Sequence, residues 1–389
     1  MRQFVFVTCS LALTACSFDA SSGPSDGRAG DAPSPFDSST MRDAALVDAP
    51  ALFTPTHLAA VPMAKLVQTF EVPAGSHDID TSSAGGLLNL EIVAQAGGGA
   101  PLAVAYFDEV TITGDLFVHG TRPLVIVANK ITLNGTIDAS AFGGEPGPGG
   151  SKPGSTDAGN GGKGTSGAGS STSDSGGGGG GFGSPGGAGG AAGLTAGAAG
   201  VADALPNLPR LRGGAAGGAA PRCASAIAGA GGGAVQLSAR ISVAISGAGA
   251  IHAGGGGGTG GGSCSGGLDA GSGGGSGGAI YIEAPTGSIA GGLWANGGAG
   301  GAGREFANDM GLNGANGAAA LTIALGASST SNNRDGGNGA AFNGETLVNA
   351  TAGGPTTNGG GGGGGVGRIV IRGTFISAGS FSPLPASLP

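Results

Sequence analysis

Residues able to do acid–base chemistry are few and widely separated in this chain. Cleaving a polysaccharide needs two or three carboxylates, or carboxylates with Arg or Lys, converging on one face. The strand-like parts of the sequence offer Asp108, Glu109, Asp115 and Asp138, then Glu283, Arg368 and Arg372. They lie far apart, and each fits an alternating strand as an outward, solvated residue. His119 and His252 stand near strand ends and read as surface histidines. Trp294 and Tyr281 could stack on sugar rings, although a single tryptophan is more often buried. No catalytic residue is assigned.

Two further motifs fail on inspection. GGKGT at 161–165 approaches a phosphate-binding loop, but Gly164 follows Lys163 where a Ser or Thr is needed to hold Mg²⁺. Asp269 in GGLDAG stands alone, without the repetition of a calcium-binding nonapeptide. Neither a metal nor a cofactor is expected.

The cysteines carry more. The chain opens MRQFVFVTCSLALTACSFDA, with Arg2 ahead of an apolar run from Phe4 to Ala15, the pattern of an export signal over 1–15. Leu13-Thr14-Ala15-Cys16 resembles the bacterial lipobox, which implies that Cys16 receives a diacylglycerol and becomes the mature N-terminus. Cys9 suits that role less well, because Thr8 precedes it and the apolar run before it is short. The resemblance implies three acyl chains, enough to anchor the protein stably in a membrane. Ser17, by the same resemblance, points to the outer membrane, with the body periplasmic or surface-exposed. Cys223 and Cys264 then remain in the mature body, in an oxidising compartment, and are expected to form a disulfide. No second cysteine or histidine cluster supports zinc.

Composition narrows the class. Of 389 residues 92 are glycine, while aromatics make up 4% and charged residues 10%. Glycine does not recur strictly every third residue, so collagen is excluded. A net charge of −8 and the lack of a basic cluster exclude nucleic acid as a partner. Residues 16–50 are rich in Ser, Asp, Pro and Gly and show no periodicity, which makes them a flexible tether.

Residues 51–389 hold a repeated unit. Short alternating strands open at Leu124–Ala128, Ala234–Ser238, Ala279–Glu283 and Arg368–Arg372. Each is followed by a second, and the first three by a third at Thr136–Ala139, Ala250–Ala253 and Leu293–Ala295. Two or three strands per unit of about 20–25 residues predict a stacked repeat: an all-β, single-stranded, right-handed parallel β-helix. A β-sandwich is the competing arrangement. Stacking places Val235, Ile280 and Ile369 in one internal ladder and turns Tyr281 and Glu283 outward. Surplus glycine-rich sequence at 143–222, 254–278 and 297–367 reads as insertions at the corners. Fixing glycine backbone costs about 1–2 kcal/mol per residue, which favours disorder. Against that, a bundle of polyproline-II-like glycine strands could bond backbone to backbone. Leu205, Leu208 and Leu211 could also pin one insertion to the scaffold.

The patterns GGAIYIEAP, GGLWANGGAGG and GGGGGVGRIVIRG resemble the glycine-rich, lipobox-bearing surface proteins of myxobacterial predators over about residues 100–389. That resemblance implies a surface lipoprotein without catalytic residues. Its role would be structural or adhesive, with extracellular polysaccharide or neighbouring cells as partners. A polysaccharide lyase or glycoside hydrolase on the same scaffold is the alternative.

Overall fold

The computed structural model describes residues 52–167, 173–264, 267–304, 311–329 and 334–388, so the expected signal, Cys16 and the tether lie outside the described residues. Two parallel sheets dominate. Their strands are β1 (Phe70–Val72), β2 (Ser76–Asp80), β3 (Glu91–Val93), β4 (Leu102–Ile112), β5 (Asp115–His119), β6 (Leu124–Leu133), β7 (Thr136–Asp138), β8 (Ala234–Ile245), β9 (Ala250–His252), β10 (Ala279–Ile289), β11 (Gly292–Trp294), β12 (Arg368–Ser377), β13 (Ser380–Ser382) and β14 (Ala386–Leu388). The first sheet runs β14-β12-β10-β8-β6-β4-β1, with β3 added antiparallel on β4; the second runs β13-β11-β9-β7-β5-β2. Along the chain a long strand in the first sheet is repeatedly followed by a short one in the second.

The first and second short strands expected in each repeat are thus one bent strand. The register slips between Ala239 and Ser242 of β8 against β6. In β6 the alternation changes phase between Ala128 and Ile131, so Leu124, Ile126 and Ala128 share a core with Ile131 and Leu133 although the two sets differ in parity. Val235 pairs with Ile280 and Ile280 with Ile369, and all three are buried in that core. The expected ladder is therefore present. Ile137, Ile251 and Leu293 close the core from the second sheet.

The glycine tracts are ordered by their own backbones. Gly178 and Gly181 donate to the carbonyls of Gly162 and Gly159; Gly177 and Gly180 donate to Gly271 and Gly274; Gly176 and Gly179 donate to Gly190 and Gly187. Every third amide of 176–181 thus reaches the same neighbour, the periodicity of a three-residue-per-turn polyproline-II helix. Carbonyls of the same stretch accept from Gly197, Gly218 and Gly362. Six strands therefore surround it. The tracts 271–278 and 359–365 are bonded in the same way, and the three link in a ring, Gly177 to Gly271, Gly274 to Gly362 and Gly362 to Gly177. A polyproline-II strand makes no internal hydrogen bonds, so lateral bonding is how its buried amides are satisfied. The insertions read as corner loops in the sequence are a laterally bonded glycine bundle.

Apolar residues tie the bundle to the first sheet. Phe182, Leu208 and Leu211 are fully buried against Val125, Val127, Tyr281 and Val370, whereas Leu205 remains exposed. The segment 52–66 covers the same outer face through Leu58, Val61 and Leu66. With both faces covered, the first sheet is buried on either side, as parallel sheets commonly are. This corrects the expected solvation of Tyr281 and Glu283. Both point away from the inter-sheet core, yet they are only 1% and 6% exposed.

Candidate functional site

The second sheet presents its outer face to solvent along one register row. Asp78 pairs with Phe117, Phe117 with Asp138, Asp138 with His252, and His252 with Trp294. Alternation explains the row: Ile79, Leu116, Ile137 and Ile251 turn into the core, so their neighbours turn out. A cleft of about 360 Å³ opens on this face, lined by Phe117, His119, Asp138, Ser140, Phe142, His252 and Asn316 among others. Phe117 is 48% exposed and Phe142 is 79% exposed, so two phenyl rings stand at the cleft unburied.

The polar side of the cleft is built across three elements. Ser140 follows β7; its amide donates to Asp138 Oδ1 at 3.0 Å and its hydroxyl donates to the same oxygen. His252 at the end of β9 brings Nδ1 to 2.7 Å from Ser140 Oγ and 3.5 Å from Asp138 Oδ1. Its Nε2 faces the Gly317 carbonyl at 3.1 Å. Burial alone would push the Asp138 carboxyl up, but hydrogen bonds from His252 and Ser140 outweigh burial and hold it below the usual carboxylate range. Asn316 spends Oδ1 on the Gly143 and Gly257 amides, at 3.0 and 2.9 Å.

These residues include a serine, a histidine and an aspartate, but not in the order that activates a nucleophile. That order needs the serine on one imidazole nitrogen and the acid on the other. Here serine and aspartate share the Nδ1 side, the serine proton is committed to Asp138, and Nε2 is committed to a backbone carbonyl. The arrangement presents polar groups to the cleft without preparing Ser140 for attack.

A second polar cluster lies under the segment 52–66. Glu283 accepts from the Thr56 amide at 2.9 Å, Ser238 Oγ at 2.6 Å and Gln236 Nε2 at 3.1 Å, and the Thr56 hydroxyl donates to its other oxygen. His57 is fully buried, with Nδ1 at 2.6 Å from Gln236 Oε1 and Nε2 at 2.6 Å from the Leu208 carbonyl. Its ring meets Tyr281 edge-on at 4.8 Å. Arg372 donates to Thr56 Oγ1 at 3.2 Å. The cluster fastens a strap, and its polar groups are spent on one another.

Elsewhere the sequence-selected residues separate. Asp108 accepts from Asn129, Glu109 pairs with Lys130 at 2.6 Å, and Asp115 accepts from the Thr136 amide. Arg368 is half-buried and donates to the Asp203 carbonyl. His119 sits 3.0 Å from Asp78 and 3.9 Å from Asp80. Trp294 is half-buried with its Nε1 unpartnered among the described residues, its indole lying across Gly292. Cys223 and Cys264 are joined, with Sγ atoms at 2.19 Å and Cα atoms at 5.8 Å. Beside them Asp269 accepts three backbone amides, from Arg222, Cys223 and Ala270, and burial pushes its carboxyl up. Arg222 forks onto the buried Asp174 at 2.5 and 2.6 Å.

The sequence marks Asp138 and His252 as separate surface residues; the structure joins them through Ser140. Phe117, Phe142, Ser140 and Asn316 were not singled out. Phe117 had a signal, since it occupies an outward position of an alternating strand. Asn316 had none, because it arrives from inside a glycine-rich insertion.

No protein-family model matches the chain, and no curated protein or solved structure is significantly similar to it.

Proposed function

We propose that the chain is an exported lipoprotein, anchored through Cys16 in the outer membrane, whose body serves a structural or adhesive role in the cell envelope. We read the two parallel sheets as faces of a right-handed single-stranded β-helix. In-register stacking of β4, β6, β8, β10 and β12, each followed by a strand of the second sheet, supports that reading. The observation that carries the functional reading is the glycine bundle. Its strands are satisfied by one another's backbones, which builds a rigid body from a chain poor in catalytic side chains. The Cys223–Cys264 bond supports an oxidising compartment.

The second reading is a carbohydrate-active enzyme. Asp78 and Asp138 flank Phe117 in one register row, two strand spacings or about 9.5 Å apart along the sheet, near the separation of an inverting pair. Such a pair needs one carboxyl held up by burial as the acid; Asp138 is held down, and the Asp78 side chain is 76% exposed to water. The structural or adhesive role is therefore preferred.

Expressing the full chain in a Gram-negative host with labelled palmitate tests the anchor. Wild type should be labelled and float with outer membranes, and Cys16→Ala should lose the label. Label retained by Cys16→Ala, or a soluble unlabelled wild type, would contradict the proposal.

A further inference from the structure

We infer that the cleft between Phe117 and Phe142 is a binding site for a neutral hexopyranose polysaccharide. This rests on the adhesive reading and gives it a ligand class and a place. The argument starts from which polar atoms the protein leaves unspent. Among the described residues the contacts of the Asp138 carboxylate fall on Oδ1, from the Ser140 amide, the Ser140 hydroxyl and His252, which leaves Oδ2 as an acceptor for a ligand. Among the described residues Asn316 bonds only through Oδ1, which leaves Nδ2 as a donor for a ligand. A carboxylate acceptor and an amide donor in one cleft match adjacent sugar hydroxyls, each of which can both donate and accept.

The two rings supply the other half of the recognition. Phe142 is held beside the site by an antiparallel bridge to Glu145, yet its side chain is among the most exposed large apolar groups of the protein. Phe117 rises from the sheet next to Asp138. A pyranose has apolar C–H faces and a polar edge. It can therefore lie on a phenyl ring while its hydroxyls reach the carboxylate. The volume, about 360 Å³, is at the small end of ligand clefts and holds roughly one or two sugar rings.

Charge decides between sugar classes. Asp78 and Asp80 lie beside His119 at the rim, Asp138 stands in the cleft, and the chain carries a net −8. Uronate or sulfate groups would be repelled. Neutral hexoses would not.

The test is affinity electrophoresis of the full-length protein, extracted in non-ionic detergent, through native gels cast with a β-1,3-glucan, dextran or polygalacturonate. Retardation is expected in at least one neutral gel and not in polygalacturonate. Phe142→Ala, at a position too exposed to support the core, should weaken the apparent affinity at least fivefold with an unchanged melting temperature. Asn316→Ala should also weaken it. Equal retardation of wild type and Phe142→Ala, or preference for polygalacturonate, would overturn the site. A wild type that no neutral glycan retards would overturn it as well, while palmitate labelling at Cys16 would still report separately on the anchored-lipoprotein reading.

Discussion

A methyl group on Gly361 would fall well inside 3.0 Å of the Ser272 carbonyl oxygen. Gly361 is not in a left-handed conformation; what requires glycine is the approach of a neighbouring backbone. Gly361→Ala must therefore push two bonded strands apart, and it is expected to cost about 2–3 kcal/mol. Gly247 gives the control, since a Cβ there meets nothing within 4 Å and its φ is ordinary. Gly247→Ala should be neutral or stabilise by about 0.4–1 kcal/mol through the unfolded chain. Denaturant midpoints of the two variants check both values.

This contrast explains why the sheets were plain in the sequence while the bundle stood there only as an alternative to disordered loops. Ile280 and Ile369 announce themselves by alternation, a side-chain signal with period two. Gly178 and Gly273 have no side chain with which to mark a period. Their three-residue rhythm exists only in which neighbour each amide reaches. Phe182 and Leu208 were the available hints, and both are buried against the first sheet. Tyr281 and Glu283 misled for a related reason: alternation told which way they turn, but not that residues 52–66 would cover them.

Glu283 fastens that cover. Glu283→Ala leaves the Thr56 amide and the Ser238 hydroxyl without their acceptor, while Gln236 Nε2 keeps Ser238 Oγ; the loss is expected to be about 3 kcal/mol. Limited proteolysis should then cut first within residues 52–66. Unchanged resistance there would mean that apolar contacts of Leu58, Val61 and Leu66 hold the strap alone.

The disulfide closes a separation of 41 residues. Chain entropy assigns such a loop about 4 kcal/mol. Cys223→Ser with Cys264→Ser, or reduction, should lower the unfolding free energy by that order, measured in urea.

Acid sensitivity should divide by residue. Hydrogen bonds hold Asp138 and Asp203 below the ordinary carboxylate range against their burial, from His252 and Ser140 in one case and from Arg212 in the other. A carboxyl depressed on folding stabilises above its unfolded value, about 3.9, and loses that contribution as pH falls through the folded value. The stability gap between wild type and Asp138→Asn should thus be full at neutral pH and close below about pH 3.9. Asp269 runs the other way. Burial raises it, so its ionised form costs stability at neutral pH, and relief comes as pH falls through the raised value. Wild type should gain relative to Asp269→Asn over that window. Chemical denaturation from pH 7 to pH 3 reads both trends.

The most direct measurement is amide hydrogen exchange on the full-length protein, followed by mass spectrometry of peptides covering 176–181, 271–278 and 359–365. Their amides are bonded on all sides in the bundle. Protection comparable to that of β8 and β10 is expected. Exchange at the rate of an unstructured chain, with the sheets still protected, would contradict the bundle and return the glycine tracts to loops.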